Sequence, residues 1–270
     1  MLEPDPITDQ EFALFQRLIY RIAGISLSDA KKILLVGRLS RRLKQYELAS
    51  FGQYYRMLAS GQHPEEVQTM VDLLTTNETY FFREQKHFDF LRDEILNKRR
   101  SPTTFRIWSA ACSSGEEVYS LAMVLAEHLT NAPWEIVGSD ISTQVLAKAA
   151  TGHYSLARTE GIPPAFMNKY CLLGVRSHAG TFLITPELRR HTRFHQINLM
   201  HPIDAEIGEF EVIFLRNVMI YFDPATKTKV VHNLLPRLKS GGYLIIGHSE
   251  TLNGLTDRVE AMLPTIYRKP

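Results

Sequence analysis

Cysteine is nearly absent: Cys112 and Cys171 are the only two in 270 residues, and they lie far from any pairing motif. That excludes a disulfide-built scaffold and points to a reducing, cytoplasmic setting. Long apolar runs are missing too. Segments such as Val212-Ile213-Phe214-Leu215 are of strand length, far short of the roughly 20 residues that a bilayer requires, and the first residues do not resemble a basic and apolar export signal. Charge of one sign is scarce, since 31 basic residues against 29 acidic ones leave a formal net charge of +2. No global attraction for nucleic acid follows, and no nucleic-acid partner is expected. Catalytic and metal signatures are also wanting. Gly247-His248-Ser249-Glu250 is followed by Thr251 rather than glycine, which argues against the nucleophile elbow of a hydrolase. His191 and His195 fall across a predicted strand without a cysteine or carboxylate in register, so no metal site is expected.

The apolar content of 44% is that of a packed globular chain, enough for one large domain or two modest ones. Residues 1–97 read as helices and a linker helix. Asp9 is placed to cap a first helix whose Phe12, Phe15, Ile19 and Ile22 recur at helical spacing, and Gly24 ends it. A second helix spans about 28–46, with Val36, Leu39, Leu43 and Tyr46 on one stripe and Lys31, Lys32, Arg38, Arg41, Arg42 and Lys44 elsewhere. Shorter helices follow near 50–59, 64–74 and 84–97, and Lys98-Arg99-Arg100-Ser101-Pro102 reads as a linker.

Residues 98–270 change to strands separated by helices, the pattern of parallel βαβ units in an α/β domain. Strands are predicted at 105–110, 134–140, 193–198, 210–215 and 243–247, with a last edge strand at 265–268. A stretch at 155–191 with Pro163-Pro164 and half of a hairpin, Gly180-Thr181-Phe182-Leu183-Ile184, reads as a β-insertion.

The first strand, the loop Ala111-Cys112-Ser113-Ser114-Gly115-Glu116-Glu117, a helix, and a second strand ending in Asp140 form a nucleoside grip, in which an acid accepts hydrogen bonds from ribose hydroxyls. Only one glycine is present in the loop, and two glutamates open the helix where a pyrophosphate would sit. That disfavours a dinucleotide, and with it a Rossmann dehydrogenase, and suits a neutral or cationic ligand such as S-adenosylmethionine. Both readings have simpler rivals: the glutamates also favour a helix N-terminus, and Asp140 could cap the next helix, although Ser142 is equally placed. Asn198-Leu199 and Arg216-Asn217 fall at the ends of later strands, on the rim where ligands bind.

The segment Thr75-Thr76-Asn77-Glu78-Thr79-Tyr80-Phe81-Phe82-Arg83, with Trp108 to Glu117, Arg216-Asn217-Val218-Met219-Ile220-Tyr221-Phe222 and Gly247 to Glu250, closely resembles the bacterial chemotaxis receptor glutamate O-methyltransferases. The likeness covers nearly the whole chain. It implies a class I S-adenosylmethionine-dependent methyltransferase domain behind an N-terminal all-α domain, with a small antiparallel β-subdomain inserted. It further implies that Asn77, Thr79, Arg83, Glu117, Asp140, Asn198, Leu199, Arg216 and Asn217 hold S-adenosylmethionine, and that Arg83 and Tyr221 serve catalysis. Tyr221 also reads as an aromatic plug after a buried strand. Cys112 stands where relatives often have alanine, and is expected to be a buried packing residue. The implied reaction is methyl esterification of receptor glutamates for sensory adaptation, releasing S-adenosylhomocysteine, by a monomer recruited to membrane receptor arrays. Arg38, Arg41, Arg42 and Lys44 are candidate contacts for the acidic receptor bundle, unless they are only a solvated face. The insertion is a candidate edge for a receptor C-terminal peptide. A methyltransferase acting on RNA or another protein, and a non-catalytic cofactor-sensing adaptor, are the alternatives.

Overall fold

The computed structural model describes residues 5–270. Four amphipathic helices, α1 (Asp9–Ala23), α2 (Lys32–Gln45), α3 (Phe51–Ala59) and α4 (Pro64–Leu74), pack around Phe15, Leu35, Leu39, Leu43, Tyr54 and Met70, all fully buried. Helix α1 is capped by Thr8 rather than Asp9: the Thr8 hydroxyl accepts from Glu11 N, and the Glu11 carboxylate accepts from Thr8 N. Asp9 sits inside the first turn, where it pairs with Lys32 at 2.6 Å. A threonine followed three residues later by glutamate closes both ends of the cap, an option that aspartate followed by Phe12 lacks. Gly24 ends the helix with φ +71°, as expected.

The segment after α4 crosses to a second unit, and α5 (Lys86–Phe90) widens into a π-helical stretch over Leu91–Leu96. Then come β1 (Phe105–Ala110), α6 (Glu116–His128), β2 (Trp134–Asp140), α7 (Thr143–Thr151), β3 (His153–Ser155), α8 (Pro164–Tyr170), β4 (Cys171–Leu173), β5 (Thr181–Ile184), α9 (Pro186–Arg189), β6 (Thr192–Gln196), β7 (Phe210–Leu215), α10 (Pro224–Leu234), β8 (Leu238–Ile246), β9 (Glu260–Leu263) and β10 (Ile266–Arg268). The large sheet runs β6-β2-β1-β7-β8-β10-β9, parallel from β6 to β8, with β10 antiparallel to both its neighbours. The separate antiparallel sheet β3-β5-β4 is inserted between α7 and β6. This is the expected α/β class with an all-α N-terminus and a small β-insertion. One expectation fails: β10 lies inside the sheet, covered by β9. The β9 residues are all exposed, so they carry no apolar alternation that would mark a strand.

Strand β7 is buried along five of its six residues, between α6 on one face and α10 on the other, which is why its sequence is nearly continuous Phe, Val, Ile and Leu. The order reverses between β1 and β7, so their carboxyl ends open a crevice at the switch point. The helical unit closes over that crevice. Ser26 N donates to Tyr221 O at 2.9 Å, Tyr20 Oη to Asp223 Oδ2 at 2.8 Å, and Thr143 N and Oγ1 both donate to the Asp72 carboxylate. Among the described residues no helix is long and apolar enough to cross a membrane.

Candidate active site

A cavity of about 370 Å³ lies between the two units, within the size range of small-molecule sites. Its floor comes from the ends of β1, β2 and β7, one wall from 74–83, and the other from the end of α1, the following loop and Leu34 of α2. All the expected cofactor residues line it: Asn77, Thr79, Arg83, Glu117, Asp140, Asn198, Leu199, Arg216 and Asn217, together with Tyr221. The α1–α2 contribution was invisible in the sequence, because Ser26, Leu27 and Lys31 belong to no motif.

Asp140 is buried, and each carboxylate oxygen accepts one backbone N–H: Oδ2 from Ser113 at 2.9 Å and Oδ1 from Ser142 at 3.0 Å. One further lone pair per oxygen remains for hydroxyl donors. The helix cap is Ser142, whose hydroxyl accepts from Val145 N. Burial raises the Asp140 pKa, against the pull of the surrounding backbone donors. The loop turns sharply on left-handed backbone at Ala111, Ser113 and Gly115. At Gly115, with φ +92°, a Cβ would come 2.8 Å from Ala149 Cβ, so the approach of α6 to α7 requires glycine.

The two acids that open α6 separate in role. Glu117 faces the cavity, accepting from Ser109 Oγ at 2.6 Å and from Arg216 Nη1 at 2.7 Å. Glu116 does not: it is buried, pairs with Arg158 at 2.8 Å, accepts from Ser114 Oγ, and so ties the loop to the insertion. The expected acidic pair facing a cation is therefore one acid. Burial raises the Glu116 pKa despite these partners. Cys112 is buried beside the cavity as expected, its thiol pushed well up by burial and by the Asp140 carboxylate.

Arg216, 2% exposed at its side chain, is a clamp. It pairs with Glu117 and, at 3.0 Å, with Glu84, and Nη2 also donates to the Arg83 carbonyl. Glu84 gathers the Asn217 amide at 3.2 Å and His248 N at 3.2 Å as well. Burial opposes ionisation of Glu84, but Arg216 and these donors hold its pKa below the ordinary value. Glu250 accepts from the backbone N–H of Gly247, Asn217 and Met219 and fixes the turn after β7, where Asn217 has φ +58°. Sequence reading missed Glu84 and Glu250 as organisers, because most of their partners are more than 30 residues away and most are backbone atoms.

Asn198 spends both polar side-chain atoms on structure, donating to Ile22 O at 2.6 Å and accepting from Met200 N at 3.0 Å. Leu199 is buried against the second unit's core. Asn77 donates to Thr75 Oγ1, and its carbonyl accepts from Ser113 Oγ. The Arg83 guanidinium donates only to Glu78 O among the described residues and lies 5.5 Å from the Tyr80 ring centroid, so most of its donors are unspent. The Tyr221 hydroxyl makes no hydrogen bond to the described residues.

Of the four basic residues on α2 expected to meet a receptor, two are committed to the fold. The Arg42 guanidinium grips the buried Glu66 carboxylate, which also accepts from Tyr54 at 2.6 Å and Tyr46 at 3.0 Å. Arg38 Nη1 donates to the carbonyls of Leu74 and Thr75 at the end of α4. Arg41 and Lys44 are exposed and form no ion pair among the described residues.

The residues fit a nucleoside bearing a cationic group: a buried acid for hydroxyls, a single acid beside Arg216, and no glycine-rich cradle for phosphate. Comparison with known proteins agrees. Residues 77–267 match the family described as CheR methyltransferase, SAM binding domain, and residues 10–75 match CheR methyltransferase, all-alpha domain. The chemotaxis protein methyltransferase of Escherichia coli is 40% identical over 99% of this chain and 93% of its own length. Chemotaxis protein methyltransferase 2 of Pseudomonas aeruginosa is 40% identical over 96% of this chain and 93% of its own, and the Borreliella burgdorferi protein is 37% identical over 97% and 95%. A solved magnesium protoporphyrin IX methyltransferase from Synechocystis with bound SAH covers 60% of this chain and 54% of its own at 17% identity and a TM-score of 0.33. With both segments matched and relatives alike almost end to end, the chain belongs to the CheR methyltransferases and takes S-adenosylmethionine as its cofactor.

Proposed function

We propose that this enzyme methylates glutamate side-chain carboxylates on the cytoplasmic domains of chemotaxis receptors, as its relatives' names suggest for the pathway. The observation that carries the choice of a carboxylate acceptor is Arg83: a guanidinium lining the cavity with its donors largely free, whereas Arg216, the other guanidinium there, is spent on Glu84 and Glu117. Such a group holds a carboxylate with paired, charge-assisted hydrogen bonds. S-adenosylmethionine supplies, when bound, a methyl carbon made electrophilic by its sulfonium. The acceptor is ionised at neutral pH, so the chain need not provide a general base. Its work is alignment, which can lower a barrier by about 7–11 kcal/mol in favourable cases.

In this reading Asp140 receives the ribose hydroxyls, Glu117 neutralises positive charge next to Arg216, and Asn77 and Thr79 close the pocket from the segment between the units. Tyr221, with its hydroxyl unspent, steadies the acceptor carboxylate or the methyl donor. Asn198 and Arg216 act mainly by holding the walls, since their side chains are spent on Ile22 O, Glu84 and Glu117. Exclusion of water follows from the helical unit, whose Ser26 and Asp72 contacts seat it on the crevice.

For receptor docking, Arg41 and Lys44 are the free cations on α2 and would steer an acidic helical bundle. The unpaired edge of β4, with Leu172 and Leu173 exposed at 49% and 62%, is suited to an added receptor C-terminal strand. Titration with receptor C-terminal pentapeptides tests the second point, and absence of binding to all of them would count against it. The reaction itself is tested by incubating the protein with methyl-labelled cofactor and a panel of receptor cytoplasmic domains. Base-labile label with wild type, lost in Arg83→Ala and Asp140→Ala, is expected; label transferred instead to RNA, or none to any acceptor despite cofactor binding, would favour the alternatives.

A further inference from the structure

His87 is 1% exposed, and its ring sits beside Glu84 and the exposed ring of His248. The Thr265 hydroxyl lies 2.6 Å from Pro264 O, to which it can donate, and 2.8 Å from His87 Nε2. With the ring proton on Nε2 all three groups are satisfied together, and Nδ1 is left with a bare lone pair. That lone pair has no hydrogen-bond partner and lies 3.5 Å from Glu84 Oε2. Two acceptors face each other in a buried space, an arrangement that is costly unless something electropositive lies between them.

The ligand atoms of Glu84, His87 and His248 all lie within 4.8 Å of one another. For bonds of about 2.0–2.1 Å to nitrogen and oxygen, tetrahedral geometry sets ligand atoms roughly 3.3 Å apart, and the Glu84–His87 pair is already near that value. Glu84 lies in the bend before α5, with φ +60°, and His87 lies in the first turn of the helix, where the two side chains approach to 3.5 Å. His248 is exposed, giving the ion a route from solvent, and its ring centroid lies 5.0 Å from that of His87, close enough to supply the third ligand. Thr265 takes the other ring N–H of His87, the outer-sphere contact that commonly orients a ligating histidine.

We propose that Glu84, His87 and His248 form a binding site for a divalent transition cation, zinc in particular, next to the Arg216 clamp. The ion takes Glu84 Oε2, the oxygen that Arg216 Nη2 holds at 3.0 Å. Occupancy thus loosens the Arg216 grip on Glu84, while Glu117 keeps its own contact, and two carboxylates remain to offset the added charge. Because Arg216 also holds the Arg83 carbonyl, metal and cofactor oppose each other, and by linkage each weakens the other's binding equally. No local motif marks the site, because His248 lies far along the chain from the Glu84–His87 pair.

The test is titration of the untagged protein with zinc against a chromogenic chelator, repeated with cobalt to read the absorption of a four-coordinate site. One ion per chain is expected, with affinity falling about 10-fold or more in His248→Ala and unchanged in His153→Ala, a histidine of the insertion. His248→Ala removes only an exposed ring, so a folded variant, checked by circular dichroism, is expected. Absence of stoichiometric uptake by the wild-type chain, or uptake equal in wild type and His248→Ala, would overturn the proposal. Neither outcome bears on the methyl acceptor, because the readout involves no turnover.

Discussion

Replacement of Arg216 by leucine probes the clamp that joins the sheet to the segment carrying Arg83. In the wild type the guanidinium, 2% exposed, satisfies Glu117 at 2.7 Å and Glu84 at 3.0 Å and holds the Arg83 carbonyl. Leucine strands two carboxylates that are each 12% exposed. Breaking a buried ion pair from one side costs about 3–5 kcal/mol. The losses at the two acids do not simply add, since Glu117 keeps Ser109 Oγ and Glu84 keeps Asn217 and His248 N. At roughly 2–4 °C per kcal/mol for a chain near this size, Tm should fall by about 6–20 °C in differential scanning calorimetry at pH 7. Adding Glu84→Gln removes one stranded charge, so the double variant should recover about 1–3 kcal/mol relative to additivity. A Tm drop under about 2 °C, or strict additivity of the two substitutions, would refute the claim that Arg216 is an electrostatic clamp.

Asp140→Asn should weaken S-adenosylmethionine binding by about 10- to 100-fold in calorimetry, the worth of hydrogen bonds to a charged group. Because burial raises the pKa of Asp140, the carboxylate protonates at higher pH than an exposed aspartate. Wild-type affinity should therefore fall as pH drops toward that raised value, and the fall should be absent in Asp140→Asn. Glu66 runs the other way. Burial opposes its charge, but Arg42, Tyr54 and Tyr46 bring its pKa below the ordinary 4.5, so it stabilises the helical unit above that pH and the contribution is lost as pH falls through the lowered value. Glu66→Gln should cost about 1.5–3 kcal/mol at pH 7 in urea unfolding and flatten the acid limb. Reversing Arg41 and Lys44 to glutamate should slow receptor methylation at low salt and have little effect at high salt, while leaving Tm within about 2 °C, as surface changes do; equal rates at both salts would remove α2 from the docking surface.

Elements whose signal is local were legible in the chain. Phe210 to Leu215 is an unbroken apolar run because both its faces are covered, and Gly24 needs only its own backbone to end α1. The β1–loop–α6–β2 grip was legible for the same reason, as spacing and one glycine define it. What escaped was set by partners distant in sequence. Arg42 reads as a surface cation until Glu66 is found beneath it, and Glu116 as a ligand acid until Arg158 reaches it across the insertion. Glu84 follows a motif and looks like solvent-facing charge, yet Arg216, Asn217 and His248 converge on it from the ends of β7 and β8. Strand β9 has no buried face at all, and only its pairing with β10 defines it.

The most direct measurement is mass spectrometric mapping of the methyl group on receptor cytoplasmic domains after incubation with the protein and S-adenosylmethionine, with and without mild alkali. Methyl groups are expected on glutamate side chains alone, removed by alkali and absent with Arg83→Ala at a cofactor concentration that saturates both proteins. Methyl groups that survive alkali, or that lie on lysine, arginine or cysteine, would rule out a glutamyl ester product.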